Sequence, residues 1–177
     1  MALIRPAELA DLEAVLAIDH SYVTDHVWQM DDRKVGGEHV VTFRLAQLPR
    51  AVQVASPYDT ATLKRCLYRC DYLWVAQVEQ KVCGYIGIAL VPWQSTGLLP
   101  AFAVAPFARR RGIGSQLLQA AIHQARADGL SALTLSLTPK NYPATRFCQA
   151  RGFRFSGYAD HAYAGGEIAL FFTYRIR

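Results

Sequence analysis

The stretch VAPFARRRGIGSQLL sets Arg109, Arg110 and Arg111 directly against Gly112-Ile113-Gly114 and then opens an apolar run at helical spacing. The first N–H groups of a helix lack internal acceptors and the helix dipole adds positive potential there, so such an end suits a phosphate. The two glycines let backbone come close, and guanidinium forks match phosphate oxygens. A diphosphate is therefore the ligand expected on residues 109–115. A Walker loop would need Lys-Ser or Lys-Thr after its glycines, whereas Gly114 is followed by Ser115-Gln116. A dinucleotide fingerprint would need a third glycine where Leu117 stands.

The elements that must position this loop can be read on both sides of it. ALIR reads as a strand, and Leu9, Leu12, Val15, Leu16 and Ile18 recur at helical spacing after it. Residues 21–54 read as an extended hairpin turning at Gly36-Gly37. A second helix opens at the capping candidates Asp59 and Thr60 and carries Leu63, Cys66, Leu67 and Cys70 on one face. DYLWVAQV, VCGYIGIALVPW and GLLPAFAVA then form an antiparallel meander. The longest helix follows the arginines, with Ile113, Leu117, Leu118, Ala121, Ile122 and Ala125 on its apolar face and Gly129 as its cap. ALTLSLT is a buried strand, YPATRFCQARG a short helix with Pro143 in its first turn, and FRFSGY and EIALFFTYRI a closing strand pair. This order predicts an α/β domain with a mixed sheet.

The chain has 177 residues, a net charge of +5, and 52% hydrophobic against 19% charged residues, which suits one globular domain and excludes a disordered class. Cys66, Cys70, Cys83 and Cys148 form no CxxC pair, so neither a zinc ribbon nor a disulfide framework is expected, and no metal is assigned. The start MALIRPAELADLE has no signal pattern and no run approaches a membrane span, so a cytoplasmic protein without a membrane partner is expected. Basicity alone carries no nucleic-acid motif.

Arg109-x-x-Gly112-x-Gly114 after an apolar strand resembles the acyl-coenzyme A loop of the GNAT acyltransferase superfamily. NYPATRFCQARGF is similar to that family's later motif, with Asn141, Ala144, Phe147, Gly152 and Phe153 at the matching separations. DHAYAGGEIALFF further resembles the streptothricin-acetyltransferase-like branch. The resemblance implies a single domain over residues 1–177 with a mostly antiparallel central sheet flanked by helices. It also implies a V-shaped splay for acyl-CoA between LLPAFAVA and ALTLSLT, with residues 21–56 outside the shared core. In that frame Phe102, Ala103 and Val104 offer backbone groups to the pantetheine. Arg109, Arg110, Arg111, Gly112, Ile113, Gly114 and Ser115 hold the diphosphate, with arginine side chains assisting. Asn141 bonds the pantetheine arm, and Ala144 and Phe147 pack beside it.

The implied reaction is direct attack of an amine on the acetyl thioester. A lysine-like amine of pKa ~10.4 is neutral in only roughly one molecule in a thousand at pH 7, so a base should assist. Many relatives carry a glutamate on the strand before the arginine loop, but Leu99-Pro100-Ala101-Phe102 holds no carboxylate. Glu167 in the final strand is the first substitute, with Asp160, His161, Asp71 and Glu79 behind it. Cys148 stands where the family places a tyrosine that protonates the departing thiolate; a thiol of pKa ~8.5 can do this chemically, and Tyr158 and Tyr142 are alternative hydroxyls. Helix packing is the other reading of Cys148. Tyr22, Trp28, Tyr58, Trp93, Tyr158 and Tyr163 are available to wall the acceptor site, and Asp25, Asp31, Asp32 and Glu38 to attract a cation.

These readings lead to an acetyl-CoA-dependent N-acetyltransferase acting on a primary amine of a small molecule. The alternatives are acetylation of a protein N-terminus or lysine, and a non-enzymatic acyl-CoA sensor, since fold does not select substrate. A homodimer is the expected assembly.

Overall fold

The computed structural model describes residues 2–56, 58–163 and 165–176. Among these residues nine strands form, in chain order β1 (Leu3–Pro6), β2 (Tyr22–Val35), β3 (Glu38–Val54), β4 (Tyr72–Val78), β5 (Lys81–Val91), β6 (Thr96–Val104), β7 (Ala132–Leu137), β8 (Arg154–Ala159) and β9 (Ala169–Arg175). The helices are α1 (Leu12–Leu16), α2 (Thr60–Tyr68), α3 (Ile113–Ala127) and α4 (Tyr142–Ala150). Seven strands make one sheet in the order β1-β4-β5-β6-β7-β9-β8, while β2 and β3 pair only with each other. Every pairing in the large sheet is antiparallel except β6 with β7. This is the mixed, mostly antiparallel α/β fold expected.

Helices cover both faces of the sheet, and two glycines of β5 show how closely. Gly84 and Gly87 are three apart and so point to opposite faces. A Cβ on Gly84 would meet Leu117 of α3 at 3.1 Å, and one on Gly87 would collide with the Cys70 thiol at the end of α2. α1 also packs on β5, and α4 lies beside α3, with the Phe147 ring 3.4 Å from a Cβ built on Gly114. Between the layers Tyr85, Ile86, Ile88, Leu117, Leu133 and Phe172 are sealed from solvent.

The local signals explain most ends. The Asp59 carboxylate accepts from the N–H of Thr62 and caps α2. Gly129 follows α3 with φ +68°. The first helix is shorter than its apolar spacing predicts: a 3-10 turn, Leu9–Asp11, precedes α1, and Leu9 is 92% exposed. What fixes that turn is polar. Asp11 accepts from both Arg5 guanidinium nitrogens at 2.7 and 2.8 Å and from the Glu8 N–H at 2.8 Å.

The β2–β3 hairpin turns at Gly36-Gly37 as expected and forms an arm. Its Phe43 ring sits 5.3 Å from Phe155 and from Tyr158, and the Trp28 N–H donates to the Pro139 carbonyl. Among the described residues the buried indole N–H of Trp28 has no partner, beside a cavity of about 240 Å³ that Phe43, Gln149 and Phe172 also line. Among the described residues no helix is long and apolar enough to cross a membrane.

Candidate active site

β6 and β7 run together only through Thr96–Ala132, Gly97–Leu133 and Leu98–Thr134. Beyond that point they part. The β5–β6 register shifts between Gly87 and Ala89, so Leu99 and Pro100 together span the place of Ile88. Pro100 has no N–H to give a ladder, and a bulge is where a sheet tolerates that loss while bending the strand. Residues 101–104 therefore keep β5 on one edge and turn the other edge toward an open cleft, where its N–H and C=O groups meet no neighbouring strand and only the Val104 carbonyl is taken, by Arg109, among the described residues. The far wall is β7, held from behind by β9. The V-shaped splay lies between the two strands expected.

At the end of β6 the chain makes one 3-10 turn, Pro106–Ala108, and enters α3 through Gly112, whose φ of +81° is left-handed. Arg110 is also left-handed, at +65°. Among the described residues the backbone N–H groups of 110–114 meet no backbone acceptor, and Arg110 and Arg111 are exposed. That is a cationic, donor-rich helix start. Two expected donors are already committed within the chain: Ser115 N–H bonds to Gly112 O, and Arg109 N–H to Pro106 O. The Ser115 hydroxyl accepts from Arg151 at 2.7 and 3.1 Å, and the Arg151 guanidinium lies 5.5 Å from the Phe147 ring. From there a groove of about 520 Å³ follows α3, with His123, Arg126 and Arg151 along it.

Arg109 does not assist a phosphate as expected. Its Nε donates to Val104 O at 2.8 Å, Nη1 to Ser21 O at 2.7 Å and Nη2 to Asp19 O at 3.0 Å. The guanidinium is thus occupied by three carbonyls, and it ties the end of β6 to the segment after α1. Sequence spacing could not show this, because two of the acceptors are backbone atoms about ninety residues away.

α4 supplies the floor. The Asn141 side-chain oxygen accepts from the Ala144 N–H at 3.2 Å and caps the helix, leaving the side-chain NH₂ as the group able to meet a ligand. Phe147 packs edge-on against Phe102 of β6, ring centres 5.9 Å apart, and both rings lie against Gly114. Cys148, by contrast, is 2% exposed and faces the core, where burial pushes its thiol up to about 12. A sealed thiol of that acidity is a poor donor to a thiolate, which corrects the expectation that it protonates the leaving group.

On the α1–α2 face, the open end of β7 gathers hydroxyls. Tyr163 donates to the Ser136 hydroxyl at 3.2 Å, Tyr22 and Thr138 share a hydrogen bond of 3.2 Å, and Tyr58 lies 6.2 Å from Tyr163 between ring centres. Burial raises the pKa of all three tyrosines, so they remain neutral donors. Glu167 sits in the loop before β9, not in the final strand as read from sequence. Its carboxylate pairs with Lys140, and its carbonyl accepts from Ala162 and Tyr163. On the β5 side of the same face, the Tyr85 hydroxyl and His20 Nε2 are 2.9 Å apart. Neither residue was singled out by spacing, since they are 65 positions apart and flank no motif.

The remaining candidates fall elsewhere. Tyr158 stands opposite Leu170, which pairs with Leu137 next to Ser136, so alternation puts it on the other face, against Phe43. Trp93 is 82% exposed in the turn after β5. Trp28 belongs to the arm cavity. Asp71 accepts from Leu90 N–H, Asp160 pairs with His161, and Glu79 occupies the β4–β5 turn. Of the arm acids, Asp25 pairs with His26, Asp31 with Arg33 and Asp32 with His39.

The acetyltransferase (GNAT) family model matches residues 40–153. The streptothricin acetyltransferase of Streptomyces lavendulae is 27% identical over 179 residues, covering 96% of this chain and 92% of that protein. Two solved structures share the fold. A nourseothricin acetyltransferase superposes with a TM-score of 0.85 at 24% identity, covering 99% of both chains. A Bacillus anthracis protein assigned as a streptothricin acetyltransferase, in complex with acetyl coenzyme A, gives 0.79 at 18% identity, covering 100% of this chain and 99% of that one. With the splay, the donor-rich start of α3 and the Asn141 helix in place, the chain belongs to the GNAT family and is an acetyl-CoA-dependent N-acetyltransferase.

Proposed function

We propose that this enzyme, as one domain, acetylates a primary amine of a small cationic molecule of the streptothricin kind, at the α1–α2 face of the splay. The observation that carries this reading is the cluster of half-buried aromatic hydroxyls at the open end of β7, which we take as the wall of the acceptor chamber. Tyr22, Tyr58 and Tyr163 line it with neutral hydroxyls, Ser136 and Thr138 anchor two of them, and the Glu167 carboxylate stands at its edge. Aromatic walls with one carboxylate suit a cationic, hydroxyl-bearing molecule. The 27% identity to a streptothricin acetyltransferase along 96% of the chain supports the same substrate class.

Donor and acceptor enter from opposite sides. The diphosphate rests on the N–H groups of residues 110–114, with Arg110 and Arg111 adding charge and the Arg151 groove continuing toward the nucleotide end. The pantetheine lies along the free edge of residues 102–104, above Ala144 and Phe147 and within reach of the Asn141 side-chain NH₂. The thioester then ends between β6 and β7, facing the tyrosines. Its carbonyl, polarised by backbone N–H of β6, takes the attack of the amine.

Thiol release from acetyl-CoA is the test, with streptothricin and nourseothricin against lysine-bearing and N-terminal peptides. Release with the antibiotics and an acetyl group on their free amine by mass spectrometry is expected. Preferential acetylation of peptides would give the site to proteins instead. Binding of coenzyme A without turnover on any amine would make the chain a sensor. Chain pairing is tested by light scattering, where two copies per particle are expected.

A further inference from the structure

We infer that His20 is the general base of the transfer, with Arg109 and Tyr85 as the residues that position it. The inference rests on the acetyl-transfer reading above. His20 lies in the short segment between α1 and β2, where no secondary structure holds it. Two contacts do. Arg109 grips the carbonyls of Asp19 and Ser21, the residues on either side, while its Nε holds Val104 at the end of β6. Asp19 closes a turn on the N–H and hydroxyl of Ser21 at 2.7 and 2.8 Å. The ring then meets the Tyr85 hydroxyl at 2.9 Å through Nε2.

Tyr85 is sealed in β5 and stands opposite Ala103 of β6, so this pair borders the strand that forms one wall of the splay. Its burial holds the hydroxyl neutral and able to accept from an imidazole N–H. We assign the proton of the neutral ring to Nε2, donating to Tyr85, which puts the lone pair on Nδ1, an atom with no hydrogen bond among the described residues. The groups around the ring are Asp19 and Arg109 by charge and Tyr85 by contact, with Tyr58, Cys66 and Cys70 surrounding Tyr85. Desolvation outweighs Asp19 and, with Arg109, lowers the imidazole below its ordinary 6.5, so it is the neutral, accepting form at pH 7. Among the described residues of this face, no other imidazole or carboxylate is half-buried without a salt bridge, since Glu167 is held by Lys140.

The step balances as follows. The acceptor arrives as an ammonium, and His20 Nδ1 takes one proton and passes it to solvent. The neutral nitrogen attacks the thioester carbon and forms the C–N bond. The C–S bond breaks with its electron pair on sulfur. The second nitrogen proton moves through His20 to that thiolate, giving amide, coenzyme A thiol and one released proton. One imidazole thus covers the work of both the missing strand glutamate and the missing tyrosine.

The test is the pH dependence of kcat for the wild type and His20→Gln, with acetyl-CoA binding measured alongside. His20→Gln should lower kcat about 10²- to 10³-fold and remove the acidic limb, with acetyl-CoA affinity within about threefold. Imidazole added to His20→Ala should restore part of the rate. A limb and kcat preserved in His20→Gln overturn the inference alone, whereas a wild type that binds acetyl-CoA and acetylates no amine overturns the functional reading and this with it. Two measurements serve if His20→Gln does not fold. Nitrogen shifts of labelled histidine in the wild type should show the Nε2–H tautomer titrating below 6.5, and the opposite tautomer overturns the assignment. Tyr85→Phe should move the limb to lower pH by removing the acceptor of the imidazolium, and an unmoved limb likewise overturns it.

Discussion

The Arg109 guanidinium donates to the Ser21 carbonyl at 2.7 Å, so the loop expected to hold a diphosphate also fastens the segment that carries His20. Donor loop and acceptor face are joined by one side chain. Arg109→Gln leaves three carbonyls without a charged donor, and hydrogen bonds to charged groups contribute about 1.5–3 kcal/mol each at most. A total loss of ~3 kcal/mol, or about 6–12 °C in Tm for a chain of this size, is expected with a fall in kcat. Arg110→Gln and Arg111→Gln should do the reverse: Tm within about 1 °C, acetyl-CoA affinity several-fold weaker and less salt-dependent. Calorimetry and titration at two salt concentrations separate the two behaviours, and equal Tm losses at all three arginines would contradict the division.

The two glycines of the loop differ in kind. Gly112 has open space for a Cβ but a φ of +81°, so Gly112→Ala strains the backbone by roughly 1–2 kcal/mol and turns the helix start away from its ligand. Gly114 has an ordinary helical backbone, and its Cβ would rest 3.4 Å from Phe147, away from the open N–H groups. Gly114→Ala should therefore keep acetyl-CoA affinity within about threefold and hold or raise Tm, since alanine is the better helix residue by up to ~1 kcal/mol. Gly112→Ala should weaken binding about tenfold. Isothermal titration of both variants decides; a larger loss at Gly114 would mean that the phosphates lie over α4.

Cys148 is expected to act by packing. Its thiol, pushed up to about 12 by burial, should resist a disulfide reagent at pH 8 in the folded protein and react on unfolding. Cys148→Ala should cost about 1 kcal/mol and leave kcat within about twofold, with the basic limb of the profile unmoved. A loss of a hundredfold in kcat would return the proton-donor role to this residue.

Legibility divided along range. Capping, periodicity and turn residues make α2, α3, α4 and the β2–β3 turn legible, because each signal acts within a few residues: Asp59 on Thr62, Pro143 in the first turn of α4, Gly129 after α3, Gly36-Gly37 between β2 and β3. The apolar period overextends the first helix because Leu9 matches it while Asp11, bound by Arg5 and Glu8, closes a 3-10 turn instead. The family resemblance implies the splay, yet the bulge at Leu99-Pro100 that opens it depends on β5 as a partner. The acceptor side was least legible. Tyr22, Tyr58 and Tyr163 stood among six aromatic candidates of equal standing, and only the strand alternation at Ser136 and Tyr158 separates those facing the chamber from those under the arm. His20 and Tyr85 carried no local signal at all.

Glu167 and Lys140 make an exposed pair at the edge of the tyrosine chamber, and their opposite charges should act on a cationic acceptor in opposite directions. Glu167→Gln removes the attraction and leaves Lys140 uncompensated, so KM for a cationic amine should rise about tenfold at low salt with kcat within about threefold. The backbone carbonyl that binds Ala162 and Tyr163 is untouched by that change, so the loop keeps its shape. Lys140→Met frees the carboxylate and should lower the same KM. Both shifts should shrink at 0.5 M salt, because charges this exposed are screened. Steady-state kinetics with one cationic acceptor at two salt concentrations reads all of this. A fall in kcat without a change in KM would instead move Glu167 from holding the acceptor to handling its proton, in competition with His20.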